Sequence, residues 1–153
     1  MPIDINETLD ADVIKLELIG NIDEKAVLPV HPKIKILKID FAQVTNINSI
    51  GVRNFIVWGE KHAAVDSIQL ENCPPIFVKN FSGIFGFLKS NMSVISFYAP
   101  FYSTETNEST NVHFVSGREF NAQGLLKVPT VKDSKGQPME IDVSESYFDF
   151  LKK

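Results

Sequence analysis

The sequence predicts an α/β domain with a largely parallel or mixed sheet and flanking helices, followed by a small C-terminal β-hairpin appendage that ends in a helix. Two observations carry this. Short β-branched runs alternate with helix-period segments in the order strand, strand, helix, strand, helix, strand as far as Tyr98. Beyond Pro100 the pattern gives way to short apolar runs separated by polar turns. Apolar residues are 44% of the 153, enough for a core and too many for wholesale disorder. The expected division is residues 1–99 and residues 100–153.

Val13 to Ile19 (VIKLELI) reads as a strand ending at Gly20, and Ile3 and Ile5 hint at a short strand within Met1 to Asp10 before it. Between Asn21 and Lys33, Pro29 and Pro32 leave room for only a brief helix around Glu24 to Leu28. Ile34 to Phe41 (IKILKIDF) is the clearest buried strand, nearly continuous in apolar character. After Val44 to Asn48, the residues Val52, Phe55, Ile56 and Gly59 fall on one face of a helix reaching His62, with Ser49 where an N-cap belongs. Asp66 to Leu70 is a further strand. Pro74-Pro75 opens a second helix carrying Ile76, Phe77, Phe81, Ile84, Phe85 and Leu88. Val94 to Tyr98 is a strand closed by Pro100. In the last third, Val112 to Val115 and Leu125 to Val131 read as strands, and Asp142 with Glu145 fits a capping box for a helix holding Tyr147, Phe148 and Leu151.

Composition narrows the function classes. The net charge is −4 and Lys and Arg form no phosphate-tracking stripe, which argues against a nucleic-acid partner. Lys33, Lys35 and Lys38 interleave with isoleucine and leucine and read as the wet edge of a strand. No apolar run approaches the ~20 residues that span a membrane. Met1 to Asp12 is polar and acidic rather than leader-like, so the expected location is the cytoplasm. Cys73 is the one cysteine and reads as a small buried hydrophobe. His31, His62 and His113 share no metal-ligand spacing, and His62 suits a helix C-terminus. Gly83 and Gly86 match no nucleotide fingerprint. No acid, base and nucleophile set can be assembled, so neither an enzyme nor a cofactor is expected.

Several short motifs occur together in a telling order. Gly20-Asn21-Ile22-Asp23 follows a strand; then come Ile36 to Phe41, Val44 to Val52, and Cys73-Pro74-Pro75-Ile76. This series, over roughly residues 10–98, resembles the STAS domain, the family of bacterial anti-sigma-factor antagonists. The family typically has a buried strand ending in Asp, a short turn, and Asp-Ser-Ser/Thr-Gly opening a helix. Here the corresponding motif is Asn48-Ser49-Ile50-Gly51, with Asn in place of Asp and Ile in place of the second Ser or Thr. The resemblance implies a cytoplasmic regulator of transcription that binds a protein partner, a kinase that doubles as anti-sigma factor. That partner would phosphorylate Ser49 and then let the phosphoprotein go.

A phosphate there would meet free amides and the positive end of the helix dipole. It would add about −1.5 to −2 charges to a docking surface. The other reading of Ser49 is a plain N-cap, contributing ~1 kcal/mol. The expected docking surface is the exposed side of the first helix (Arg53, Asn54, Val57, Trp58) with Phe81 and Phe85 from the second. Twelve phenylalanines invite two explanations: docking of the second helix onto Phe97, Tyr98, Phe101, Tyr102 and the appendage, or an exposed patch for a partner or homodimer. Trp58, off the apolar stripe of its helix, poses the same question. The alternatives to a switch are a STAS-like adaptor or dimerisation scaffold without phospho-control, and a small-ligand or lipid carrier with a pocket among the phenylalanines.

The polar turns Tyr102 to Thr106 and Lys132 to Gly136 resemble zinc-ribbon knuckles in which Ser103, Thr106, Lys132 and Lys135 stand for the metal-binding cysteines. Those side chains offer zinc no thiolate or imidazole, so no metal is expected. Val112, Phe114, Leu125 and Val128 would then hold the hairpins together.

Overall fold

The computed structural model describes residues 3–152. Alternation of side chains builds its first sheet. Strand β1 (Asp4–Asp10) folds back antiparallel on β2 (Val13–Ile22), and β2, β3 (Ile36–Ile47), β4 (Ser67–Glu71) and β5 (Met92–Val94) run parallel in that order. The result is a mixed five-stranded sheet with two helices, α1 (Ser49–Lys61) and α2 (Pro75–Gly83). Met1 and Pro2, part of the expected first strand, lie outside the described residues.

The sheet has one dry face and one wet face. Ile14, Leu16 and Leu18 of β2, Leu37, Ile39 and Phe41 of β3, and Ile68 and Leu70 of β4 are buried, and Phe41 meets Phe55 of α1 and Phe77 of α2. The alternate residues, Lys15, Glu17, Lys38, Asp40, Gln69 and Glu71, are half-buried or exposed. Lys15 pairs with Glu71 at 3.9 Å and Asn6 donates to Glu17 at 3.0 Å across this outer face. Parallel sheets are ordinarily covered on both faces. Here one face is wet, so β3 is half-buried rather than buried throughout, and Lys38 sits on a wet face rather than a wet edge, because β2 and β4 flank it.

No helix forms at Glu24 to Leu28. The segment between β2 and β3 runs irregularly over the flank of α1, where the Trp58 indole N–H donates to Pro29 O at 2.8 Å. Residues preceding proline disfavour helical backbone, and Pro29 and Pro32 apply that restriction twice. Helix α2 stops at Gly83 instead of continuing to Leu88. Ile84 is extended and Gly86 takes a positive φ of 77°, so the turn that carries Phe85 leaves the helix.

The chain changes sheet at Ile95, between β5 and β6. Strand β6 (Ser96–Tyr102) pairs with β7 (Ser109–Val115) on one side and β8 (Glu140–Ile141) on the other. Pro100 lies inside β6 and does not end it. Its carbonyl accepts from Asp142 N–H, and its missing donor faces the same side, where β8 stops after two residues. The strand expected at Leu125 to Val131 reduces to one bridge between Leu126 and Phe120. The capping box at Asp142 and Glu145 does not form either. A turn through residues 145–148 leads instead into a short 3-10 helix, Asp149–Lys152.

The phenylalanines form two ring clusters, and the chain's last turn joins them. Phe41, Phe55, Phe77, Phe81 and Phe87 pack between the first sheet and its helices. Phe97 packs on Phe114 and Phe120 in the second sheet. The Phe150 ring lies 5.2 Å from both Phe81 and Phe97, its N–H donates to Ser82 Oγ at 2.9 Å, and Tyr147 OH donates to Tyr98 O at 2.7 Å. Most of the phenylalanines are used up inside the two cores, contact between the two parts runs through Phe81, Phe97 and Phe150, and Phe85 alone is fully exposed.

Candidate functional site

The start of α1 is held by three neighbouring groups. Asn48, not Ser49, is the N-cap. Its Oδ1 accepts from Gly51 N–H at 2.8 Å, its carbonyl receives Val52 N–H, and its amide donates to Glu24 Oε2 at 3.0 Å. Aspartate at this position would set two carboxylates against each other, so Asn48 suits a site where Glu24 supplies the acid. The Glu24 carboxyl is held below its ordinary range by a backbone N–H and by the Asn48 amide. Gly51 is a steric requirement, since a Cβ there would lie 1.9 Å from the carbonyl oxygen of Ile22.

Ser49 is thus the first residue inside the helix. It is exposed, its hydroxyl has no partner among the described residues, and the amides of Ser49 and Ile50 have no protein acceptor. An oxyanion carried on Ser49 would lie at the positive end of the helix beside these free amides.

From Ser49 an exposed stripe runs down the helix through Ile50, Arg53, Asn54, Val57 and Lys61. Asn54, Val57 and Lys61 share a shallow depression of about 290 Å³ with Val27 and Val30 of the loop between β2 and β3. Ile50, Val57, Val27 and Val30 are exposed apolar side chains, Val27 most of all at 81%. The expected surface residues Arg53, Asn54 and Val57 therefore do come together. Trp58 lines the inner side of the same depression, but it is 4% exposed, stacked on Phe55 and packed against His62, so most of it belongs to the core. The buried face of α1 is Gly51, Phe55, Trp58 and Gly59, rotated from the expected stripe by the close approach at Gly51 and the Trp58 bond to Pro29. Phe81 is also core, at 6% exposure, and Phe85 stands on its own turn beyond α2.

His62 is fully buried and bound as the neutral ring. Nδ1 meets Trp58 O at 2.7 Å, and Nε2 accepts the backbone N–H of His31 at 2.8 Å. It works as a latch on the loop rather than as a cation at the helix end. His31 in turn meets Glu7 of β1 at 2.6 Å. Sequence reasoning did not reach Glu24, Val27, Val30 or this latch. The signal available was AVLPV, an apolar run whose proline bars both helix and central strand.

The two polar turns of the second sheet do meet, but through Ser103 and Asp133 rather than the paired positions of a zinc ribbon. Ser103 Oγ donates to Asp133 Oδ2 at 2.6 Å and accepts the N–H groups of Glu105 and Thr106. Asp133 Oδ1 accepts from Lys135 and Gln137 N–H. These bonds, led by the Ser103 hydroxyl, hold the Asp133 carboxyl below its ordinary range. Phe114 is buried opposite Phe97, at the far end of β7 from these turns, whereas Leu125 and Val128 are exposed. Cys73 is buried, and burial pushes its thiol well above the ordinary range, which removes it from nucleophilic chemistry.

The fold and this surface define a mixed α/β protein with an open helix terminus and an apolar stripe beside it. The chain matches no known family model and no curated protein. No described helix is long and apolar enough to cross a membrane.

Proposed function

We propose that this protein is a cytoplasmic binding module of a partner-switching or signal-relay system, STAS-like in arrangement, with Ser49 as its phosphorylation site. The observation that carries the reading is the division of labour at the start of α1. Asn48 performs the cap, which leaves the exposed Ser49 hydroxyl with no structural task. A phosphate there would lie beside Ile50, at the head of the stripe formed by Arg53, Asn54 and Val57. Its charge would oppose docking of a partner's apolar surface. The order of strands and helices after β1 supports the STAS-like reading, and Glu24 offers an acid near the position where the family's aspartate is absent.

The test is a capture experiment on native lysate with wild type, Ser49→Ala and Ser49→Asp, read by partner identification and intact mass. The expected result is phosphate on wild-type Ser49, and a kinase-like ATPase enriched by the alanine form and released by the aspartate form. Identical partners for all three forms and no added mass would overturn the phospho-switch.

A second reading, an adaptor or dimerisation scaffold without phospho-control, draws on the exposed valines. Val27, Val30 and Val57 form an apolar surface that does not depend on Ser49. Under that reading Val57→Asp abolishes association while Ser49→Asp leaves it intact. The carrier reading has less support, because the rings of Phe41, Phe55, Phe77, Phe81 and Phe87 pack on one another and occupy the space a pocket would need.

A further inference from the structure

Among the described residues, strand β5 is paired on one side only, with β4. Ile68 N–H donates to Asn91 O at 2.8 Å and Ile95 N–H donates to Leu70 O at 2.7 Å. Backbone groups alternate between the two edges of a strand, so Ser93 points its N–H and C=O at β4, and Met92 and Val94 point theirs the other way. On that other side β7 runs only as far as β6. Ser96 pairs with Val115, Ser116 N–H reaches Ile95 O at 2.9 Å, and the chain then turns away at Gly117, where φ is 88°.

Met92 N–H is taken by Lys89 O. Three backbone groups, Met92 C=O, Val94 N–H and Val94 C=O, have no strand beside them among the described residues. The space next to them is a groove of about 310 Å³ between β5 and the chain's last turn, lined in part by Met92, Val94, Ile95, Phe120, Phe150 and Leu151.

This combination specifies an occupant. Acceptor, donor and acceptor at strand spacing match an extended backbone; a helix has already paired its own groups, and a small apolar ligand has none to offer. The apolar lining calls for apolar side chains at alternate positions, the set that an added strand would turn toward the groove. We propose that the β5 edge is a peptide-binding site. It takes a short extended segment of a partner protein, apolar at alternate residues, as an added strand continuing the line of β7. The site is independent of the α1 surface and of the reading of Ser49.

The test uses the capped peptide acetyl-Ser-Val-Ser-Val-Ser-amide, and the same peptide with both valine nitrogens methylated, each titrated into the whole isotope-labelled protein. The added concentration is about 1 mM, where a few hydrogen bonds and a small apolar contact register. The expected result is a shift of the Ser93, Val94, Ile95, Phe120 and Leu151 amide resonances by the unmethylated peptide alone. Exchange of the Val94 amide slows about tenfold at saturation. Val94→Pro removes the open-edge donor without touching the β4 ladder, and it is expected to stay folded and lose the response. Equal binding by the methylated peptide would overturn strand addition in favour of simple apolar contact. No shift at these residues with either peptide would overturn the site altogether. Concentration-dependent dimerisation that Val94→Pro abolishes would show the edge occupied by a second copy and overturn the partner peptide.

Discussion

The backbone N–H of His31 and the Nε2 of His62 are 2.8 Å apart, a donor on an irregular loop meeting the lone pair of a buried ring. Protonating His62 would put a second N–H in place of that lone pair. Burial already pulls the His62 pKa below its ordinary 6.5, and the fields of His31 and Lys61 act in the same direction. Unfolded protein takes up the proton near 6.5 and folded protein only at a lower pH, so between those values the unfolded state holds the extra proton. Stability therefore falls as pH drops below about 6.5 and levels off beneath the folded value. The slope is bounded at about 1.4 kcal/mol per pH unit for one proton. His113 is shifted in the same direction, also first by burial. The His62 share is the difference between urea midpoints of wild type and His62→Gln across pH 5 to 8. The chain's one tryptophan, Trp58, lies against the His62 ring at 4.1 Å between centroids and supplies the fluorescence signal. Parallel pH profiles for the two proteins would refute the latch.

At the start of α1 three adjacent substitutions have different expected costs. Asn48→Ala loses the cap and the bond to Glu24, a cost of about 1 to 2 kcal/mol. Gly51→Ala forces a methyl against the Ile22 carbonyl and costs about 3 kcal/mol. Ser49→Ala changes stability by less than about 0.5 kcal/mol, because its hydroxyl bonds nothing among the described residues. Urea unfolding of the three variants checks the order. A Ser49→Ala cost as large as that of Asn48→Ala would return Ser49 to the role of cap.

Much of the first sheet was legible because its strands announce themselves: VIKLELI and IKILKIDF carry the β-branched alternation, and Pro74-Pro75 marks a helix start. What was not legible has local causes. Strand β1 showed only faintly, through Ile5, because it is polar along nearly its whole length and its hairpin turns at Ala11, an alanine held at φ 53° where a glycine or asparagine would have signalled the turn. At residues 48 and 49 two good cap residues stand side by side, and only the strand's exit geometry decides between them. Trp58 looked exposed because its partner, Pro29 O, is supplied by a loop remote in sequence. The exposed stripe of α1 was half legible: Arg53, Asn54 and Val57 follow from helix period, whereas Val27 and Val30 join them only through the path of that loop.

The Ser103–Asp133 bond ties together two turns that have few buried apolar side chains of their own. The Asp133 carboxyl is depressed in the folded protein, first by the Ser103 hydroxyl. Its contribution is therefore present above the unfolded value near 3.8 and is lost as pH falls through the lower folded value. Asp133→Ala is expected to speed amide exchange at Glu105, Thr106, Lys135 and Gln137, the donors that rely on this pair, and to leave β2 to β4 unchanged. Exchange measured residue by residue decides it. Unchanged protection at those four amides would mean the turns hold without the pair.

Phe150 is the residue on which the two sheets depend together. Its ring touches Phe81 of α2 and Phe97 of β6, and its N–H is bound by Ser82, so removing the ring opens a void at the joint rather than inside either cluster. Phe150→Ala is expected to cost about 3 to 5 kcal/mol. Phe85→Ala, at the one fully exposed phenylalanine, is expected to cost less than about 0.5 kcal/mol. Because the void lies between the sheets, unfolding of the Phe150 variant should lose single-transition behaviour, with Trp58 fluorescence following the first sheet and amide exchange at Phe114 reporting the second. A cost near zero, or coincident transitions with an unchanged midpoint, would show that β6 alone joins the two parts and that the last turn only caps them.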